Sequence, residues 1–187
     1  MDKVIGLDLD GVIVDHSGLK IEMAKARGKE ITPGQTPSEI MKTLFPIEVW
    51  REIQNELYGN LEISLRAPLM AGAAEGLRAI KESGNKYYLI TRRKSMDMIR
   101  SVLMDKGLWD SYFNEDNVCM AATPEDKDLE SKARGITHFA DDEQKILKAL
   151  NSVGNKVLFD PYNVFKDGEY KTVSSWPKLI DLWNLKS

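Results

Sequence analysis

The sequence predicts an α/β fold built on a parallel sheet, with a helical segment inserted after the first strand. Three observations carry that expectation. Short apolar runs without polar alternation recur along the chain, as in strands buried on both faces. Segments with apolar residues at helical spacing separate them, and this alternation belongs to parallel sheets covered by helices. One stretch, residues 16–66, breaks the alternation and holds no strand candidate.

The elements follow in order. Val4–Leu9 is an apolar run closed by Asp10-Gly11. In the insertion, Leu19–Arg27 reads as a helix. Thr36-Pro37-Ser38-Glu39 reads as a capping box with Pro at the first helical position, opening a helix into Ile40, Met41 and Leu44. Pro46 restarts the chain, and Val49, Trp50, Ile53 and Leu57 mark another helix that stops near Gly59. Helix Ala73–Ser83 then carries Ala74, Leu77 and Ile80, with Gly84 as its stop, and strand Tyr87–Ile90 follows. Helix Ser95–Lys106 carries Met98, Ile99, Val102 and Leu103 before strand Val118–Ala121. Thr123 and Pro124 form an N-cap and first-turn pair for helix Pro124–Arg134. Strand Ile136–Ala140, helix Glu143–Asn151 and strand Val157–Phe159 continue the pattern. Residues 166–169 read as a hairpin turn. The last helix starts near Ser175, with Pro177 in its first turn, and presents Leu179, Ile180, Leu182 and Trp183. The expected division is a core of residues 1–15 and 67–187 and a small helical cap of residues 16–66.

Composition narrows the function classes. At 187 residues one domain with an insertion is expected, and such a chain buries roughly 70% of its unfolded surface without staples. The 26 Lys and Arg against 29 Asp and Glu give a net charge of −3, with no basic block. That balance excludes a nucleic-acid polymer as the expected partner. The single Cys119 excludes a disulfide framework and a Cys-rich zinc site. No apolar run approaches the roughly 18–20 residues of a membrane span, and Asp8 and Asp10 inside the first apolar run do not suit a signal peptide. A soluble, cytoplasmic protein is expected.

Four features carry chemistry. Asp8-Leu9-Asp10-Gly11 follows the first strand, and ligands of open α/β sheets bind at the carboxyl ends of strands. Carboxylates that close repel unless a cation or a proton lies between them. The Ile136–Ala140 strand ends in Asp141-Asp142, so two acidic pairs can converge on one hard cation such as Mg²⁺. Tyr88-Leu89-Ile90-Thr91-Arg92 is a strand ending in a hydroxyl before a helix, placed to bond a phosphoryl oxygen. Lys127, in a helix's first turn, runs against the macrodipole preference unless it faces an anionic site. Singly, each has an ordinary reading: a solvated turn, a helix N-terminus, a cap residue, a surface lysine.

In this order, the four features resemble the haloacid dehalogenase superfamily, and the resemblance spans nearly the whole chain. Its motifs match Asp8-Leu9-Asp10-Gly11-Val12, Thr91, Lys127 (with Lys132 the alternative) and Asp141-Asp142, and residues 16–66 sit where that family carries its cap. The segments Leu89–Arg93, His138–Asp142 and Asp160–Asn163 are most similar to its cytosolic 5′(3′)-deoxyribonucleotidase-like branch. The resemblance implies a three-layer Rossmann-like sheet and a Mg²⁺-dependent phosphatase acting on a small phosphorylated metabolite or nucleotide. It makes Asp8 the nucleophile that becomes an aspartyl-phosphate, and Asp10 the general acid and base. It gives Mg²⁺ to Asp8, the Asp10 carbonyl and Asp141, with Asp142 supporting through water. Thr91, Arg92 and Lys127 would bind the phosphoryl group. The family's dehalogenases need no metal and lack the second Asp of the first motif, which Asp10 supplies here. Substrate selection would fall to Trp50, Tyr58 and Arg66, with Phe45 a further ring, although the apolar residues among them equally suit a cap core and Arg66 a surface. His16 reads as a loop residue, His138 as structural and Cys119 as a buried apolar residue. The alternative function is a non-catalytic phosphate-sensing or partner-binding module on the same fold.

Overall fold

Strand β1, Val4–Leu7, runs through the centre of a six-stranded sheet, and the residues that follow it emerge where the chain changes direction across that sheet. The computed structural model describes residues 3–165 and 168–185. The expected turn at residues 166–169 therefore lies partly outside the described residues. After β1 come helices α1 (Ser17–Ala26), α2 (Ser38–Met41), α3 (Ile47–Gly59) and α4 (Leu61–Arg66). The alternation then resumes: α5 (Ala73–Glu82), β2 (Lys86–Thr91), α6 (Met96–Asp105), β3 (Val118–Met120), α7 (Pro124–Ala133), β4 (His138–Asp141), α8 (Gln144–Ala149), β5 (Asn155–Phe159), β6 (Lys171–Val173) and α9 (Trp176–Leu182).

The sheet order is β3-β2-β1-β4-β5-β6, and every pairing is parallel. From β1 the chain builds outward on one side through β2 and β3, then returns to the other side with β4. That reversal makes the carboxyl ends of β1 and β4 the switch point where ligands of such sheets bind. Leu7 pairs with Leu89 on one side and Ala140 on the other. Asp8, Ile90 and Asp141 are the next residues along the three strands.

Alternate strand residues point to opposite faces, and both faces are buried. Leu7, Leu89, Ala140 and Phe159 join one apolar cluster with residues of α5, α6 and α9. Ile90, Phe139 and Leu158 join a second with Ile146 and Leu147 of α8. Met41, Trp50, Ile53 and Leu57 of the inserted segment belong to the first cluster, so its helices share the core's apolar contacts. Among the described residues no helix is long and apolar enough to cross a membrane.

The structure corrects several local expectations. β1 ends at Leu7 because the Leu9 carbonyl accepts from both Ile13 N–H (3.0 Å) and Val14 N–H (2.9 Å), curling the chain into a loop. The Thr36 hydroxyl does not cap α2; it donates back to the Pro33 carbonyl at 2.7 Å. The capping box lies earlier, between Thr32 and Gln35, and opens a 3₁₀ turn at Pro33–Gln35. α4 was not expected; it starts where Asn60 Oδ1 accepts from Ile63 N–H at 3.3 Å. β6 was missed because Lys171-Thr172-Val173 is no apolar run, and it exists by pairing with β5. The expected cap of α7 is present, with Thr123 Oγ1 accepting from Asp126 N–H and the Asp126 carboxylate from Thr123 N–H.

α9 is pinned under the loop that follows β1. Trp176, fully buried, donates from Nε1 to the Val12 carbonyl at 2.8 Å. A Cβ on Gly76 of α5 would meet the Trp176 ring. Gly76→Ala should therefore destabilise the protein by about 1–3 kcal/mol through overpacking, despite a helix-propensity gain of about 1 kcal/mol. A melting temperature at or above wild type would show that the indole is free to move.

Candidate active site

The loop after β1, the end of β2, the first turn of α7 and the end of β4 bring charged side chains to one point. Lys127, 1% exposed, donates from Nζ to Asp8 Oδ1 at 2.6 Å and to Asp141 Oδ2 at 2.7 Å. Its placement in α7 against the macrodipole is thereby explained by two carboxylates. Lys132, one turn further on, is exposed and stays outside the site. Asp8, Asp141 and Asp142 each bring a carboxylate oxygen within 4.8 Å of the others. Gly11 makes room for this approach: its φ is +92°, and a Cβ there would strike the Asp142 carboxyl. Glu143 N–H donates to Asp141 Oδ1 at 3.0 Å and fixes that carboxylate.

Three carboxylates around one ammonium leave two negative charges over. Burial dominates the response. It pushes Asp8 from its ordinary value near 3.8 up to about 7; Lys127 opposes the shift, and Asp141 and Asp10 reinforce it. Burial also raises Asp141 against the pull of Lys127. It raises Asp142 well above the ordinary range, with Glu143 and Asp141 adding to it. For Lys127 burial opposes the charge, but Asp141 and Asp8 outweigh it and raise its pKa. A buried excess of charge with hard oxygen donors fits a divalent cation such as Mg²⁺, which takes carboxylates and retains waters.

Asp10 lies in a different environment. Arg93, almost fully buried, donates from Nε to Oδ2 (3.0 Å) and from Nη2 to Oδ1 (2.8 Å) of Asp10, a bidentate pair. His16 Nε2 lies 2.7 Å from Asp10 Oδ1. Burial alone would raise Asp10, but the Arg93 charge and the His16 contact outweigh it and hold the carboxyl below its usual range. An ionised Asp10 assigns the ring proton to Nε2 of a neutral His16, whose own pKa burial lowers. Arg93 reaches further, with Nη1 donating to Ser64 Oγ of α4 at 3.4 Å and the guanidinium 5.8 Å from the Tyr58 ring centre of α3. Ser64 Oγ in turn donates to the Leu57 carbonyl at 2.7 Å.

The other expected residues divide. A cavity opens at Asp8, Asp10, Asp141 and Asp142, and Arg92 lines it; Thr91 is buried and is not among the lining residues, its Oγ1 accepting from Arg93 N–H at 3.3 Å. Tyr58 lines the cavity too. Trp50 does not: it is 5% exposed and packed in the apolar cluster. Arg66 points to solvent and pairs with Glu22 at 2.6 Å. Phe45 packs under Lys29. His16 is 2% exposed rather than a solvated loop residue. Sequence reasoning missed Arg93; the signal available was Arg92-Arg93 after a strand end, where extended backbone sends neighbouring side chains opposite ways.

No family model matches the sequence, and no curated protein does. Solved structures do match over nearly their full length. A HAD family hydrolase from Deinococcus radiodurans with bound phosphate and sodium has a TM-score of 0.64 at 16% identity, covering 99% of this chain and 96% of that one. A predicted phosphatase from Clostridium acetobutylicum has 0.69 at 14% identity, covering 98% and 99%. The L-2-haloacid dehalogenase of Xanthobacter autotrophicus has 0.65 at 15% identity, covering 98% and 99%. The chain has the haloacid dehalogenase-like fold. Neighbours on that fold include predicted phosphatases and a dehalogenase, so the reaction must be read from the site.

The Asp8 environment has a thermodynamic signature. In metal-free protein the folded state holds the Asp8 proton up to about pH 7, while an unfolded Asp loses it near 3.8. The folded state therefore binds more protons across that window, and this contribution to stability falls as pH rises through it. Asp8→Asn removes the titration. The melting-temperature difference between Asp8→Asn and wild type, both in chelator, should grow in favour of the variant from about pH 4 to about pH 7 and then level. A constant difference would contradict the crowded-carboxylate account.

Proposed function

We propose that this chain is a Mg²⁺-dependent phosphatase that hydrolyses a small phosphate monoester through an aspartyl-phosphate on Asp8. The observation that carries the reading is Lys127 held between Asp8 and Asp141 at the switch point of the sheet, with charge left for one divalent cation. Asp8, the Asp10 carbonyl and Asp141 would hold the cation, with Asp142 supporting. When bound, Mg²⁺ neutralises the repulsion between Asp8 and an anionic phosphoryl group.

In this mechanism the Asp8 carboxylate attacks phosphorus in line with the leaving oxygen, and the P–O bond to that oxygen breaks. Lys127 and Arg92, which line the cavity, hold the transferring oxygens, and the buried Thr91 holds the Arg93 turn beside them. Asp10 takes a proton from the water that cleaves the aspartyl-phosphate and returns that proton to the leaving oxygen of the next ester, so the proton balances over the cycle. The Arg93 and His16 contacts favour the ionised Asp10 of the second step. The inserted helices, acting as a cap over residues 16–66, limit water and select the leaving group. The presence of Asp10 favours phosphoryl transfer over dehalogenation, since the dehalogenases of this superfamily lack that residue. The nucleotidase branch has weaker support: of its expected recognition residues only Tyr58 lines the cavity.

The test is phosphate release from p-nitrophenyl phosphate. Mg²⁺ should support it, and EDTA should stop it reversibly. Asp8→Asn should lower kcat by at least about a thousandfold, and Asp141→Asn should raise the Mg²⁺ concentration for half-maximal rate. Release that persists in excess EDTA, or near-normal turnover by Asp8→Asn, contradicts the proposal. Phosphate binding with no turnover of any ester returns the non-catalytic sensing module.

A further inference from the structure

One carboxylate of the site has no cation beside it. Five carboxylates line the main cavity. Asp8 and Asp141 share Lys127, Asp10 has Arg93, and Glu143 has Lys145 at 2.7 Å. Asp142 has no ion pair among the described residues.

Lys20 of α1 is in the opposite condition. It is 5% exposed, and lysines are almost never buried unless paired. Among the described residues it has no ion pair. Its Nζ donates to a neutral acceptor, Ser38 Oγ of α2, at 3.3 Å. Ser38 lines the main cavity, so the ammonium stands one hydroxyl behind its wall.

A second, smaller cavity joins the two. Lys20 and Asp142 both line it, together with Gly11, His16 and Asp160. It measures about 30 Å³, room for a water or two. Two of its lining residues carry buried polar atoms without a hydrogen-bond partner, His16 Nδ1 and Asp160 Oδ1, so ordered water has acceptors there. The inserted segment is fastened to the core beside this point. Glu39, next to Ser38, accepts from Lys145 N–H at 3.1 Å, three residues past Asp142. The electrostatics agree: burial raises the Asp142 pKa, Glu143, Asp141 and Asp8 add to it, and Lys20 opposes them.

Resting on the cation-dependent phosphatase reading of the site, we infer that Lys20 is the counter-charge of Asp142, acting across the small cavity through water. The inserted segment thereby sets how strongly the carboxylates hold a cation. Lys20 does not line the main cavity, so it is a positioning residue. Its ammonium acts in two opposite senses. It cancels part of the negative charge that attracts Mg²⁺, and it adds positive potential for an incoming phosphate dianion. A lysine that only packs α1 against α2 has no such opposed effects.

The test is binding without turnover, at about pH 8.5, where the cation displaces few carboxylate protons. MgCl₂ is titrated calorimetrically into the protein, and inorganic phosphate into protein saturated with Mg²⁺. Lys20→Met should tighten Mg²⁺ and weaken phosphate, each by at least about threefold. Lys20→Gln, which keeps a donor for Ser38 Oγ and drops the charge, should do the same, and Lys20→Arg should keep both constants near wild type. In chelator, the loss of urea midpoint on Lys20→Gln should shrink by at least about half when Asp142 is already Asn, because the pair is then absent. Constants unmoved by Lys20→Gln, or both weakened, overturn Lys20 as a counter-charge while leaving the cation site. A midpoint loss as large in Asp142→Asn overturns the pairing with Asp142. Wild-type protein that binds no Mg²⁺ and gains no melting temperature from MgCl₂ overturns the phosphatase reading beneath both.

Discussion

A buried ammonium shared by two carboxylates organises this molecule. Lys127 reaches Asp8 and Asp141 with side chains that are almost entirely out of water. Removing the ammonium from such a cluster leaves buried carboxylates without a counter-charge and is destabilising by about 3–5 kcal/mol. The contact joins three pieces distant in sequence, the loop after β1, α7 and the end of β4, and it requires the sheet to bring β1 and β4 side by side. The register that pairs Leu7 with Ala140 does so. Asp142 then adds a third carboxylate, and Gly11 gives it space. The site carries more carboxylates than the protein's own ammonium neutralises, a set of hard oxygen donors that could hold a cation.

A second buried charge pair links that centre to the inserted helices. Arg93 leaves the end of β2, grips Asp10 with two nitrogens, touches Ser64 in α4 and lies over Tyr58 in α3. The apolar residues of α3 continue the same cluster as β1 and α5. The inserted segment is thus held by shared apolar packing and by a polar hub on a residue of the first motif. A shift of these helices would disturb Asp10 as well as the cavity wall. Asp10 and the helices that line the cavity are consequently joined through one arginine.

Most of the sheet was legible because its strands are short apolar runs with no competing pattern, and the residues after them stood out because Asp, Thr and paired Asp break those runs at the strand ends. β6 was not, since Lys171-Thr172-Val173 gains strand character only from β5. The Thr36 cap failed because a nearer acceptor, the Pro33 carbonyl, takes the hydroxyl. At the site, the resemblance put Lys127 ahead of Lys132 by its distance along the chain from Asp141, and the structure buries Lys127 against Asp8 and Asp141 while Lys132 is exposed. Trp50 could not be separated from the core by pattern, because a residue at helical spacing with Ile53 and Leu57 is buried by the same rule that suggests a stacking ring. His16 and Arg93 were hidden for a related reason: a buried polar residue is recognised by its partner, and these partners lie 6 and 83 residues away in Asp10.

The central claim is that Asp8 itself takes the phosphoryl group. Its most direct measurement is acid quenching during turnover of p-nitrophenyl phosphate with Mg²⁺, followed by peptide mass mapping. The account predicts one added phosphoryl group on the peptide containing Asp8, lost on mild alkaline or hydroxylamine treatment and absent in Asp8→Asn. Steady phosphate release with no modification of that peptide, or with the phosphoryl group on another residue, would contradict it.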